Sequence, residues 1–158
     1  MKFGPSFRQA HAPQWATFYL AYDELKNDLK AGIGSDGQME GKDHQVVHVK
    51  LREQCDRVDF LFNTEHSRLA TLHDHVDVVL AGCRPTNEVF AARQHLARTA
   101  ALYIQKHVHS LLMFAKVNSD AALRILEKLN RITVGLHDVG AFVLAHRFFN
   151  VSQPRYFS

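Results

Sequence analysis

Residues 43–83 read DHQVVHVKLREQCDRVDFLFNTEHSRLATLHDHVDVVLAGC, and their apolar positions recur at helical spacing without a break. Val47, Leu51, Cys55, Val58, Phe62, Leu69, Leu72, Val76, Val79 and Cys83 lie three, four or seven residues apart, which puts them on one face of an α-helix. Asp43 is suited to the N-cap, and Cys83-Arg-Pro-Thr-Asn87 stops the pattern. The prediction is one helix of about forty residues, against a globular mean of about a dozen. A second long stripe follows, through Val89, Ala92, Leu96, Ala100, Tyr103, His107, Leu111, Phe114 and Val117. Two such helices in succession predict an antiparallel, coiled-coil-like pair.

Outward from this pair the chain stays helical. Residues 2 to about 10 suit a short helix, with Pro5 tolerated in its first turn. His11-Ala-Pro13 breaks it, and Pro13 starts a second helix on which Trp15, Phe18, Tyr22, Leu25 and Leu29 form a stripe ending at Lys30-Ala-Gly32. These two make a helical hairpin. Residues 32–43 are glycine-rich and polar and read as a loop. At the other end, Asn118-Ser-Asp120 reads as a break and an N-cap cluster, restarting the chain as a helix over 120–131. A last amphipathic segment runs from Leu136 to Phe149. No strand-like alternation is present, so the fold class is all-α: an N-terminal hairpin on a bundle with two long antiparallel helices and short C-terminal helices.

Composition narrows the function classes. The chain has 158 residues, 46% hydrophobic, with 11 phenylalanines, 4 prolines and 8 glycines, enough for a packed core with little room for disorder. A net charge of +3 is too mild for bulk coating of nucleic acid, so an anion site must come from local arrangement. Cys55 and Cys83 are 28 residues apart on the predicted helix, roughly 42 Å at ~1.5 Å rise, and cannot bridge. They read as reduced thiols of a cytosolic protein. The opening Met-Lys-Phe-Gly-Pro lacks the apolar run of a signal peptide, and no window approaches the ~18 apolar residues of a membrane span.

Two short basic faces stand out. Arg124, Lys128 and Arg131 fall within about 60° of arc on a helix, with Leu123, Ile125, Leu126 and Leu129 opposite and Glu127 at the edge. An ordinary solvated helix face has the same composition, but arginine forks and a lysine point charge also bind phosphate well. Tyr22 and Lys26 stand at i and i+4, so they share a face. They read either as a core tyrosine beside a snorkelling lysine or as a hydroxyl donor and a cation for a phosphate. Lys2 and the terminal amine lie close if the first helix folds over the second. Lys30, one turn further, is peripheral.

The 11 histidines include an i, i+4 pair, His44 and His48, but no third ligand, no Cys-x-x-Cys and no HExxH accompanies it. Histidines along exposed faces account for the pattern, and no metal or cofactor is expected. No nucleophile elbow, P-loop or paired carboxylate is present, so no enzyme is expected.

These blocks resemble the SPX domain, the all-α module at the N-terminus of many eukaryotic phosphate-homeostasis proteins. The family's first signature, roughly Met-Lys-Phe-Gly-Lys, Pro-Glu-Trp and Tyr-x-x-Tyr-x-x-Leu-Lys, is similar to Met1-Lys-Phe-Gly4, Pro13-Gln-Trp15 and Tyr19-Leu-Ala-Tyr22-Asp-Glu-Leu25-Lys26. Its second, a basic helix after Leu-Asn-x-Thr-Gly-Phe, is similar in degraded form to Val117 through Arg131. The resemblance implies one domain over 1–158, as a fragment of a larger protein, with a hairpin at 1–31, long helices over 43–118 and C-terminal helices over 119–150. It implies a sensor of inositol hexakisphosphate and inositol pyrophosphates that reports phosphate status. Tyr22, Lys26 and Lys128 match the family's inner phosphate cluster, Arg124 and Arg131 its surface lysines, and Lys2 its N-terminal lysine. Glu127 stands where the family usually has lysine, Pro5 replaces a lysine, and Ala121-Ala122 replaces Gly-Phe.

The implied partner is an attached transporter, exporter, polyphosphate synthase subunit, phosphodiesterase or ubiquitin ligase, or a separate protein, and not nucleic acid. The implied location is cytoplasmic, facing the cytosol whether the chain is free or belongs to a membrane-anchored protein. Two other classes fit the same residues: a helical scaffold for protein partners, and a peripheral binder of phosphoinositides in membranes.

Overall fold

The helical periods predicted from the sequence become helices, with instructive differences in where they break. The computed structural model describes residues 3–35, 37–39, 41–82, 88–132 and 141–152. Its elements are Phe3–Gln9 (α1), a 3-10 helix at Pro13–Phe18, Tyr22–Ala31 (α2), Gly41–Ala81 (α3), Glu88–Ile132 (α4), Ala141–Ala145 (α5) and Arg147–Ser152 (α6). Among the described residues the extended pairing is a single isolated bridge, Ile33 with Met39. The fold is all-α.

Helix α3 has 41 residues, as its periodicity requires, and buries Val47, Leu51, Cys55, Val58, Phe62 and Leu69 along one face. It packs against α4, which runs antiparallel to it. The apolar core joins these two helices to Trp15, Tyr19, Leu20, Tyr22 and Leu25 from the N-terminal segment and to Val143, Phe148 and Phe149 from α5 and α6. Asp59 of α3 accepts the Phe148 N–H at 3.1 Å, satisfying a backbone donor at the start of α6. Buried Cys55 is a free thiol whose pKa is pushed up to about 12, first by burial and then by Asp56 and Asp59, so it is inert. Cys83 lies outside the described residues, as do residues 136–140 of the last predicted segment.

Five expectations are corrected. The segment from Pro13 to Lys30 is not one helix: it leaves the helical path at Tyr19, extended at φ −66° and ψ 150°, and re-enters at Tyr22. Tyr19, Leu20 and Tyr22 are all buried, which one straight helix face does not allow, and the break lets Trp15 and Tyr19 both meet Phe114, at 5.5 and 4.8 Å between ring centroids. Nor does the chain break at Asn118-Ser-Asp120, since α4 runs through to Ile132. Asn118 uses its side chain across the core instead of capping a new helix. Its Nδ2 donates to Phe114 O and its Oδ1 accepts the Leu20 N–H, both at 2.8 Å, while the buried alanines 121 and 122 favour continued helix.

The third correction concerns the outer half of the long pair. Ala97, Ile104 and Leu111, at sevens, form the inward line of α4, so Val89, Leu96 and Tyr103 lie about one residue off it and are 55%, 66% and 43% exposed. The fourth concerns residues 32–43. They are not a loose loop, because Met39 is buried and donates its N–H to Ile132 O at 3.2 Å. Gly37 at φ 78° makes the intervening turn, and Gly32 has no room for a side chain, as a Cβ there would lie 2.7 Å from Met39 Cε and 2.9 Å from Asp43 Cβ.

His44 also departs from expectation, being buried rather than on an exposed face, with Nε2 unpartnered. Burial, then the neighbouring His48, lowers its pKa below the ordinary 6.5. A histidine held neutral in the folded state binds fewer protons there than in the unfolded chain, so its contribution to stability is lost as pH falls through 6.5. Urea titrations between pH 7.5 and 5.5 are expected to show falling stability, with a shallower fall in His44→Leu. Replacing Asn118 by Leu strands the Leu20 N–H in the core and is expected to cost about 2 kcal/mol in the same titrations at pH 7.5.

Candidate functional site

The route to the site begins at the break in the N-terminal segment. Its exposed backbone groups are satisfied by side chains of the long helices: Asn118 takes the Leu20 N–H, Gln54 Oε1 takes the Ala21 N–H at 2.8 Å, and Arg57 donates to Tyr19 O at 3.2 Å. Helix α2 starts at the next residue. Further along, Lys50 of α3 holds it by pairing with Asp28 at 2.8 Å and Glu24 at 3.4 Å. Leu25 and Leu29 face the core, so Tyr22 and Lys26 are turned toward α1 and the end of α4.

Helix α1 lies over this face. Phe3 and Phe7, one turn apart, pack on Tyr22 with ring centroids at 4.9 and 5.8 Å. Tyr22 is almost fully buried, and its hydroxyl is 3.4 Å from Lys128 Nζ, which also sits 5.6 Å from the ring centroid. Arg124 stacks its guanidinium over the Phe3 ring at 4.3 Å, a cation–π contact that orients the fork.

The result is a cleft of about 580 Å³ between α1, α2 and the last turns of α4. Five of the six residues singled out in the sequence line it: Tyr22, Lys26, Arg124, Lys128 and Arg131. The sixth, Lys2, lies outside the described residues. Lys30 is not among the lining residues, as expected. The cleft also holds side chains that the sequence reading passed over. Phe3 forms its wall, Arg8 adds a fifth cation, and Asp23 pairs with Arg8 across the α1–α2 contact. Phe3 and Phe7 at i, i+4 were the signal that α1 packs by this face, which places the neighbouring Arg8 at the rim. Glu127 lines the cleft and is exposed there.

Chemically the arrangement suits a compact anion with several phosphates. Five cations face one cavity from three helices, against two carboxylates, with one buried hydroxyl donor at the floor. Two other cavities, of about 420 and 370 Å³, lie along the long helices; apolar side chains wall most of the smaller, and the larger mixes Val76, Leu80 and Ile104 with His73, Asp77 and Arg98. Among the described residues no group of three histidine, cysteine, aspartate or glutamate side chains is placed to hold a metal. No helix there is long and apolar enough to cross a membrane.

No family model matches the sequence, and no curated protein is similar to it. Similarity is found at the level of structure. The SPX domain of glycerophosphodiester phosphodiesterase 1 from Chaetomium thermophilum, solved in complex with inositol hexakisphosphate, superposes at a TM-score of 0.76. The match covers 96% of this chain and 91% of that one, at 20% sequence identity. The chain has the SPX-domain fold.

Because Phe3 supports both Arg124 and Tyr22, Phe3→Ala is expected to cost about 2 kcal/mol, below the fully buried range because the ring is only half-buried. Urea unfolding measures this, and faster proteolytic cleavage within residues 3–9 would report that α1 has lost its anchor.

Proposed function

We propose that this chain is a sensor domain for inositol polyphosphates and pyrophosphates, with no catalytic step of its own. The observation that carries the reading is the convergence of Tyr22, Lys26, Arg124, Lys128 and Arg131 on one cleft, although the two groups are about a hundred residues apart in sequence. Sequence alone left one group explicable as a solvated helix face and the other as a core tyrosine beside a snorkelling lysine. Their juxtaposition around a buried tyrosine hydroxyl needs a further reason, and a polyanion supplies one. The likeness in fold to a domain solved with inositol hexakisphosphate supports the same ligand class.

Within the cleft the residues divide the work. Lys26 and Lys128, both half-buried, supply charge beside the Tyr22 hydroxyl, where screening by salt is weakest. Arg124 and Arg131 are exposed and offer forked donors at the rim. Lys2 belongs to the proposed set through its place in the N-terminal block. Glu127 opposes a polyanion at the rim and lowers affinity without touching the inner group. We further read the chain as one regulatory domain of a larger cytoplasmic system. Ligand occupancy would bias its contact with an attached effector or a partner, since a ligand shifts an equilibrium only toward the state it prefers.

Isothermal titration calorimetry at near-physiological salt tests this with inositol hexakisphosphate and a pyrophosphate. Lys26→Ala and Lys128→Ala are each expected to cost about 1–3 kcal/mol of binding, and the Tyr22→Phe/Lys26→Ala/Lys128→Ala triple variant to lose it. Glu127→Lys is expected to tighten binding. No heat from the wild-type protein would overturn the reading. Binding confined to vesicles containing phosphatidylinositol phosphates, with no competition by the soluble ligand, would assign the cleft to membranes instead.

A further inference from the structure

Among the described residues, the Arg8–Asp23 pair is the one contact in the cleft that sets a cation of the lining against a carboxylate of the lining. Two features of α1 allow it. Phe7, beside Arg8, is buried against Tyr22, which fixes the face that α1 turns to α2. Gly4 lets Asp23 approach the α1 backbone, since a Cβ at that position would stand 3.2 Å from Asp23 Oδ1. The two side chains are themselves 59% and 46% exposed, so the pair adds little to stability and is readily exchanged.

We propose that Arg8 is a further ligand-binding cation, and that Asp23 is its stand-in partner, which a crowded phosphate cluster displaces. This rests on the anion-binding reading of the cleft and extends it to a residue that neither basic face contains. The chemistry favours the exchange. A carboxylate carries one negative charge, a phosphate monoester close to two, and both accept a guanidinium fork in the same geometry. Arg8 is therefore drawn from Asp23 most strongly by an anion of higher local charge. Asp23 then remains beside the ligand as an uncompensated carboxylate. The pair thus makes the cleft discriminate by charge density: a sparsely phosphorylated ring gains little from Arg8, whereas a fully phosphorylated one recruits it.

A double-mutant cycle reads this directly, with inositol hexakisphosphate as the probe and calorimetric Kd values for wild type, Arg8→Ala, Asp23→Asn and the double variant. All four are expected to fold, because both side chains are at the surface, and circular dichroism checks this. In the Asp23→Asn background, loss of Arg8 is expected to weaken binding about tenfold, the scale of one charge-assisted hydrogen bond. In the wild-type background the same loss is expected to be several-fold smaller, because part of the contact is spent in displacing Asp23. Equal losses in the two backgrounds, or none in either, from a wild type that does bind would overturn the exchange while leaving the anion site standing. A wild type that does not bind would overturn both.

Discussion

Three hydrogen bonds from long-helix side chains to the backbone at Tyr19–Ala21 hold the rest of the site in place. Asn118, Gln54 and Arg57 satisfy the groups exposed where the N-terminal segment stops being helical. Without them the break would bury an unpaired Leu20 N–H beside Phe114, a loss comparable to a large part of a small domain's net stability. With them, α2 begins at Tyr22 in one orientation, and its apolar face decides where Lys26 points. The interaction couples positions 20 and 118, which are far apart in sequence. The same helix that supplies Asn118 supplies Arg124, Lys128 and Arg131 two to four turns later, so the bond that seats α2 also sets its distance from the cations.

The cleft balances attraction against self-repulsion. Five cations close together would repel one another across a narrow space, and the structure tempers this in three ways. Asp23 pairs with Arg8, the Phe3 ring faces the Arg124 guanidinium, and the Tyr22 hydroxyl and ring face Lys128. Each is a weak contact, made with an exposed carboxylate, an aromatic face or a neutral hydroxyl. A site built from strong internal ion pairs would be more rigid and would bind an incoming anion less well, because every new contact would first have to break an old one. Lys50 shows the contrast: it bridges Asp28 and Glu24 on the far side of α2, outside the cleft, and serves the packing of α2 on α3.

Periodicity revealed most of the fold. The 41-residue α3 follows from apolar spacing alone, although it starts at Gly41 and so puts Asp43, read as its N-cap, inside the first turn. The N-terminal block was equally informative, because Trp15, Tyr22 and Leu25 belong to the core as their spacing implied. The errors share one cause. Asn118 looked like a helix cap because asparagine usually bonds its own local backbone. Val89, Leu96 and Tyr103 looked like core because a stripe of period seven is the same from any starting residue. In each case the deciding partner, the Leu20 N–H for Asn118 and the facing α3 for α4, lies on another element, and a one-dimensional pattern carries no information about it.

What the sequence by itself determined is that the chain is helical, where its longest helix lies and the chemistry available on each face, because these depend on side-chain identity and local spacing. Which cations share a cavity was a tertiary matter. Arg124, Lys128 and Arg131 form a basic face on any helix, and Tyr22 and Lys26 share one wherever α2 lies. They become a single cleft only because α2 is pinned against α4 with α1 laid across the top. Arg8 and Asp23 were invisible for the same reason. Their significance is a distance between two helices, set by Phe3 and Phe7 packing on Tyr22, and a distance between elements is decided by how the core fills space.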